Sequence, residues 1–316
     1  MRRHPSLSAI VGFALTLVSA PAVHAASVPI DGRLDAEYGA ARSVQVNATD
    51  RGDWTPGFDP PPPPYLYAFA PGSELDDAYA FVAGGALHLF FGGNFRSYQG
   101  EPLIAPDAIE VFIDCAPGGQ NVLRADNPSL GSYVRLDALG GLHFDADFSP
   151  DYWFQADVET PFMQPLWVYG STLPAGAGGA GAFLGRADAA GPGTLSGGSN
   201  PDGVLASLDN SNRGGVGAGC GTASGAGVTT GIEFAIPLAA LGSPSGPISI
   251  GALVAMAGGD ARVSNQVLGP VPAGTCALGA ANSTNFAGIP GAQYFTLDAP
   301  VPARAASWGR LKARYR

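Results

Sequence analysis

Carboxylates gather at two places in this chain, and their spacing bounds what chemistry they could do. Asp145, Asp147 and Asp151 are the densest acidic cluster. Oxygen ligands of this kind suit a structural calcium ion, which braces long loops. On an extended strand Asp145 and Asp147 would stand about 7 Å apart, inside the range of an inverting glycosidase pair. Glu110 and Asp114 would share a strand face but lie roughly 13 Å apart, beyond either glycosidase geometry. Acids on an outward face are ordinarily just solvated, so no hydrolytic pair is expected. A second oxygen-rich run, Asp209-Asn-Ser-Asn-Arg-Gly214, puts Arg213 where an EF-hand loop would need a ligand.

Redox chemistry finds little support. His143-x-Asp145 is half of a facial iron triad, but the other histidine beyond the leader, His88, precedes the pair rather than following it. Haem would need a histidine with Met163 or Met256 as axial ligands, and no attachment motif accompanies them. No nucleophile elbow, phosphate loop, dinucleotide fingerprint or zinc spacing occurs. The chain is therefore expected to be non-catalytic. Binding is a different matter, because sugars stack on exposed aromatic faces flanked by polar groups. Trp54, Tyr65, Tyr67, Tyr98, Trp153 and Trp167 are the available platforms. Trp54 and Tyr98 sit in polar loop sequence and are the expected ligand contacts. Trp153 and Trp167 sit in strand sequence and are expected in the core.

The elements that must position these residues read as short strands. In Asp107-Ala-Ile-Glu-Val-Phe-Ile-Asp114, Ile109, Val111 and Ile113 fall on one face and Glu110, Phe112 and Asp114 on the other. Residues 79–83 and 86–91 flank Gly84-Gly85, a two-residue hairpin signal. Residues 142–148 alternate, which predicts a strand with Leu142, Phe144, Ala146 and Phe148 inward. Further strands are predicted over 43–47, 152–159, 166–171, 228–236, 248–256 and 293–297, with a short helix over 237–241 begun by Pro237. Between 175 and 227 only 182–186 and 204–208 read as ordered. Residues 60–64 are a polyproline run with no strand capacity. Some ten to twelve short strands and almost no helix predict an all-β, antiparallel jelly-roll-like sandwich with long glycine-rich loops.

Composition agrees with this reading. Of 316 residues, 46 are glycine and 28 proline, so turns outweigh long helices. The net charge of −10 argues against a nucleic-acid partner. Arg2 and Arg3, an apolar stretch over 7–20 and Val23-His24-Ala25 predict a signal peptide over 1–25 and a secreted or cell-surface protein. No later apolar run is long enough for a transmembrane helix. Five of the 16 basic residues lie in the last stretch, at Arg304, Arg310, Lys312, Arg314 and Arg316. With Trp308, Leu311 and Tyr315 at helical spacing, residues 301–316 read as a basic tail able to dock on an anionic surface. Export permits disulfides, and three cysteines leave three pairings open. Loop context favours Cys220–Cys276, since Cys115 ends a buried strand.

Three segments carry a resemblance. Ile30-Asp-Gly-Arg-Leu-Asp-Ala-Glu-Tyr38, the strand from Asp107 to Asp114, and Gly231-Ile-Glu-Phe-Ala-Ile-Pro-Leu-Ala-Ala-Leu-Gly242 resemble, in order, the opening, central strand and late strand of family 9 carbohydrate-binding-module-like domains. Pro117-Gly-Gly-Gln-Asn121, Phe144-Asp-Ala-Asp-Phe-Ser-Pro-Asp-Tyr152, Ser264-Asn-Gln-Val-Leu268 and Ile289-Pro-Gly-Ala-Gln-Tyr-Phe-Thr296 are similar to segments of a group of secreted bacterial proteins. The resemblance implies one sandwich domain over 26–300, of the kind shared with DOMON domains. The function it implies is binding of a polysaccharide or cell-envelope glycan. A structural or matrix role resting on the 175–227 segment and the tail is the alternative, and a glycan-active or redox enzyme is the third.

Overall fold

The computed structural model describes residues 28–51, 72–96, 106–159, 166–212, 219–256 and 261–298. Fourteen strands run through them. They are β1 (Ser43–Val44), β2 (Glu74–Ala83), β3 (Ala86–Asn94), β4 (Asp107–Asp114), β5 (Tyr152–Val158), β6 (Leu166–Thr172), β7 (Gly181–Ala187), β8 (Ser196–Gly197), β9 (Leu205–Leu208), β10 (Gly231–Pro237), β11 (Ile248–Met256), β12 (Arg262–Leu268), β13 (Gly279–Ala280) and β14 (Phe295–Leu297). Among the described residues the only helical pieces are short 3-10 turns, one of them Leu238–Leu241 behind Pro237.

The strands form two antiparallel sheets packed as a β-sandwich. The smaller has the order β1-β2-β3-β10-β9; the larger runs β13-β12-β11-β4-β5-β6-β7-β8. β14 pairs with residues 248–250 of β11, while 252–256 of the same strand edge pair with β12. The hairpin between β2 and β3 closes at Gly84 and Gly85, whose φ angles of 60° and 82° are the left-handed values that a two-residue turn demands.

Alternation builds the core. Leu87, Leu89 and Phe91 of β3 and Ile232, Phe234 and Ile236 of β10 face Ile109, Val111 and Ile113 of β4 and Ile250, Ala252 and Val254 of β11. Full burial of each large apolar side chain is worth about 1.5–3 kcal/mol. The other face of the larger sheet is covered too. Phe112, Trp153, Tyr169 and Leu253 pack under Leu123, Leu136, Leu142, Phe144, Phe148 and Phe286, which come from irregular chain. Side-chain amides hold this outer wrap in place. Asn121 Nδ2 donates to the carbonyls of Asp145 at 2.7 Å and Phe148 at 2.9 Å. Gln120 and Asn127 exchange hydrogen bonds of 3.0 and 2.9 Å.

The wrap corrects one expectation. Residues 142–148 are not a strand: only His143 makes isolated bridges, to Val122 and Asn285. The Phe148 N–H turns back onto the Asp145 carbonyl at 3.0 Å, and Ala146 is exposed at the turn. The captured carbonyls of Asp145 and Phe148 close a loop where alternation alone predicts extension. Leu142, Phe144 and Phe148 are buried as expected. β12, whose residues enter the sequence reading only through the resemblance at 264–268, is a full strand of the larger sheet.

The cysteines pair as Cys220–Cys276, with 4.9 Å between their Cα atoms. Asn47 staples the same region: its Oδ1 accepts the N–H groups of Gly274 at 2.6 Å and Thr275 at 3.2 Å. Cys115 remains a free thiol.

Candidate functional site

Cross-strand register on the outer face of the larger sheet sets out the groups with chemical capacity. One row runs Ala255, Ala108, Asp157, Trp167, Arg186 and Ser196 across β11, β4, β5, β6, β7 and β8. The next runs Leu253, Glu110, Gln155, Tyr169 and Phe183. The strand alternation that sends Phe154 and Ala156 into the core therefore sends Gln155 and Asp157 outward, under the edge of the wrap.

Aromatic rings mark where this face opens. Trp167, Phe183 and Tyr133 are half-buried, whereas Trp153 is fully buried and Tyr169 is only 6% exposed. The Phe183 ring lies 5.3 Å from Trp167 and 5.1 Å from Tyr169, centre to centre. The Arg186 guanidinium sits 4.7 Å above the Trp167 ring, a cation–π contact worth about 0.5–1 kcal/mol at a partly exposed site. A β-bulge between Val168 and Tyr169 shifts the β6–β7 register and brings Phe183 and Arg186 onto this one face.

Behind the rings lie buried acids. Glu110 accepts the Trp153 indole N–H at 2.6 Å and the Gln155 amide at 2.8 Å. Burial nevertheless pushes its carboxyl up to about 7, against the pull of the Gln155 and Trp153 donors. Asp157 is 1% exposed, and neither of its oxygens has a hydrogen-bond partner. Burial, with the Glu159 charge adding to it, raises Asp157 to about 8. Ser132 pulls the other way through its hydroxyl and its backbone N–H, and that hydroxyl also lies 2.8 Å from the Tyr169 hydroxyl. Glu159, at the rim, is raised by burial and drawn back by the Tyr133 hydroxyl and by Arg186. The arrangement can hold a polar ligand against ring faces, with donors and acceptors at the rim and a neutral acid beneath.

The residues singled out in the sequence fare differently. Trp54 and Tyr98 lie outside the described residues, as do the signal segment, the polyproline run, Met163 and the basic tail. Asp145, Asp147 and Asp151 do not form a cage. Asp145 Oδ2 accepts the Gln293 N–H at 2.8 Å, and Asp151 Oδ2 accepts the N–H groups of Cys115 at 2.9 Å and Ala116 at 2.8 Å. Two of the three thus brace turns. No three His, Cys, Asp or Glu side chains gather as metal ligands among the described residues. His88 stacks on Phe81 on the outer face of the smaller sheet, at 4.7 Å, while His143 bonds Asn121 within the wrap, at 3.0 Å. His88 belongs to the smaller sheet and His143 to the wrap over the larger one, so the two do not converge.

Trp153 is core as expected. Trp167, expected in the core, stands instead at the margin of the wrap. The alternation Gln155-x-Asp157-x-Glu159 was a readable signal of an outward polar column, but nothing in composition indicated that loops would bury it. No helix among the described residues is long and apolar enough to cross a membrane. No protein-family model matches the chain, and no curated protein or solved structure matches it either.

Proposed function

We propose that this chain is a secreted, non-catalytic β-sandwich that binds a carbohydrate on the outer face of its larger sheet. The observation that carries the reading is the half-buried pair of Trp167 and Phe183, with Arg186 over the Trp167 ring and Glu159, bonded by the Tyr133 hydroxyl, at the rim. Flat apolar faces beside charged hydrogen-bonding groups suit a sugar ring, which presents C–H faces and hydroxyl edges. The resemblance to family 9 carbohydrate-binding-module-like and DOMON-like domains supports the same class of ligand. The disulfide between Cys220 and Cys276 agrees with an oxidising compartment outside the cytoplasm.

Affinity electrophoresis against neutral, amino and acidic polysaccharides tests the proposal. Trp167→Ala should weaken retention by about tenfold or more, equivalent to about 1.4 kcal/mol. Trp54→Ala and Tyr98→Ala should leave it unchanged if this face is the whole site. Absence of retention on every polysaccharide, with a folded protein, would end the carbohydrate reading.

A further inference from the structure

Strands β9 and β10 part after their last rungs. Leu208 pairs with Ile232, and the Asp209 N–H still reaches the Gly231 carbonyl at 2.9 Å. Beyond that point the two arms separate. A cleft of about 420 Å³ opens between Ser211 and Asn212 on one arm and residues 226–230 on the other. That volume lies within the roughly 300–1,000 Å³ of small-molecule sites.

Each arm is fixed from behind by its own buried carboxylate. Asp209 is fully buried; its Oδ1 accepts the Ser211 N–H at 2.8 Å and its Oδ2 accepts Arg33 Nε at 2.9 Å. Asp77 is also fully buried, and its Oδ2 accepts the Gly227 N–H at 3.2 Å and the Tyr79 hydroxyl at 3.0 Å. The carbonyls of Thr229 and Thr230 are taken by the N–H groups of Leu34 and Gly93, each at 3.0 Å. The two arms are therefore held at their spacing by separate anchors, without help from a ligand. Walls fixed in advance lower the ordering cost of binding.

We infer that this cleft is a second binding site, which takes one neutral sugar residue. It belongs to the smaller sheet, apart from the Trp167 face, and does not rest on the reading of that face. Ser211, Asn212, Thr229 and Thr230 line it with hydroxyls and an amide, groups that both donate and accept. A sugar hydroxyl does the same, so it finds a match in either sense. Ala226 and Val228 add the apolar wall that a sugar's C–H groups need. Among the described residues, no ionisable side chain and no aromatic ring lines the cleft. An ammonium or carboxylate would enter without a counter-charge and lose hydration, and a flat base would find no ring to stack on. Ser211, Ala226 and Thr229 are exposed, so the cleft opens to solvent and a longer glycan can run outward from it.

Saturation-transfer NMR on the full chain tests this. The neutral probes are methyl glucoside, methyl galactoside and methyl mannoside; the charged ones are glucosamine and glucuronate. At least one neutral glycoside is expected to receive saturation and to bind about tenfold or more tighter than both charged sugars. Ser211→Ala and Thr229→Val each take a hydroxyl from one arm, and Ala226→Phe fills the gap between them. All three positions are exposed, so the unfolding temperature should hold. The two hydroxyl deletions combined should weaken binding about tenfold, and Ala226→Phe should abolish it. No saturation of any neutral probe, equal binding of the charged sugars, or undiminished binding in Ala226→Phe would overturn the assignment. Binding that survives Ala226→Phe and is lost in Trp167→Ala would put the sugar on the larger sheet. The cleft claim would then fall and the reading of that face would stand. Glycoside binding in the cleft by a chain that no polysaccharide retains would do the reverse.

Discussion

The Tyr38 hydroxyl donates to Glu233 at 2.8 Å, joining residues 195 positions apart. The other Glu233 oxygen accepts the N–H groups of Asp31 at 2.8 Å and Gly32 at 3.1 Å. One buried carboxylate on β10 therefore clasps the Asp31-Gly32 turn and the short 3-10 turn at Tyr38. The opening segment and a late strand, far apart in the chain, are thereby in direct contact.

Tyr38→Phe removes one donor and leaves a Glu233 oxygen buried and unmatched. The expected loss is about 1–3 kcal/mol of unfolding free energy, measured by urea denaturation. A loss below a few tenths of a kcal/mol would mean the clasp contributes nothing to stability.

The protein should lose stability as pH rises, over a window set by its buried acids. Glu110 and Glu233 are raised by burial from 4.5 to about 7, and Asp157 from 3.8 to about 8. Above its ordinary value each acid ionises in the unfolded chain while the folded chain still holds the proton. The folded state then binds more protons, so unfolding free energy falls with rising pH. The penalty is absent below the ordinary values, grows between them and the raised ones, and is complete above about 8. Glu110 alone accounts for a loss on the order of 3 kcal/mol, at about 1.4 kcal/mol per pH unit. Thermal unfolding followed from acid to mildly alkaline pH should show a declining midpoint, with a shallower decline in Asp157→Asn. A midpoint that climbs over that interval would contradict the assignment.

Asp107 is the hub of a second buried network. Its Oδ1 accepts from Arg51 at 3.0 Å and Arg96 at 2.9 Å, and its Oδ2 accepts from the Ser73 hydroxyl at 2.7 Å. Asp107→Ala takes away the carboxylate that both guanidiniums share, and about 3–5 kcal/mol of stability should go with it. Ser73→Ala should cost about 1 kcal/mol. Chemical denaturation of both variants checks the order, which would be wrong if the two losses were equal.

Cys115 should be unreactive. Burial, then the Asp151 and Asp114 charges, push its thiol up to about 12, and thiolate is the nucleophile. Its S–H points to the Leu241 carbonyl at 3.8 Å. Iodoacetamide should label it in urea but hardly at all in the folded protein at neutral pH. Rapid labelling of the native chain would refute this.

Much of the framework was legible in the sequence because alternation and turn residues act locally. The 107–114 strand, the Gly84-Gly85 hairpin and the strand over 248–256 follow from period-two patterns bounded by turn formers. The stretch 142–148 has the same period without being a strand. Its extension is interrupted by Asn121, a residue more than twenty positions away whose amide takes two carbonyls of the loop. The site was harder to read for the same reason. Whether Trp167 is core or surface depends on how far the wrap reaches across the sheet, and strand alternation carries no information about that. Strand sequence assigns Trp153 and Trp167 alike to the core; Trp153 is buried because its neighbours across the sheet, Phe112 and Ser171, are covered as well.

The two coverings of the larger sheet are made of unlike material. One is a ladder of paired strands, in which a one-residue slip would turn every side chain over. The other is coil pinned by a few amides, with no register to lose. Substitutions, insertions or deletions around residues 130–135 can therefore reshape the rim around Trp167 and Arg186 while the ladder keeps its alignment. A lineage or an engineer seeking a new ligand has a place to work that leaves the shell intact.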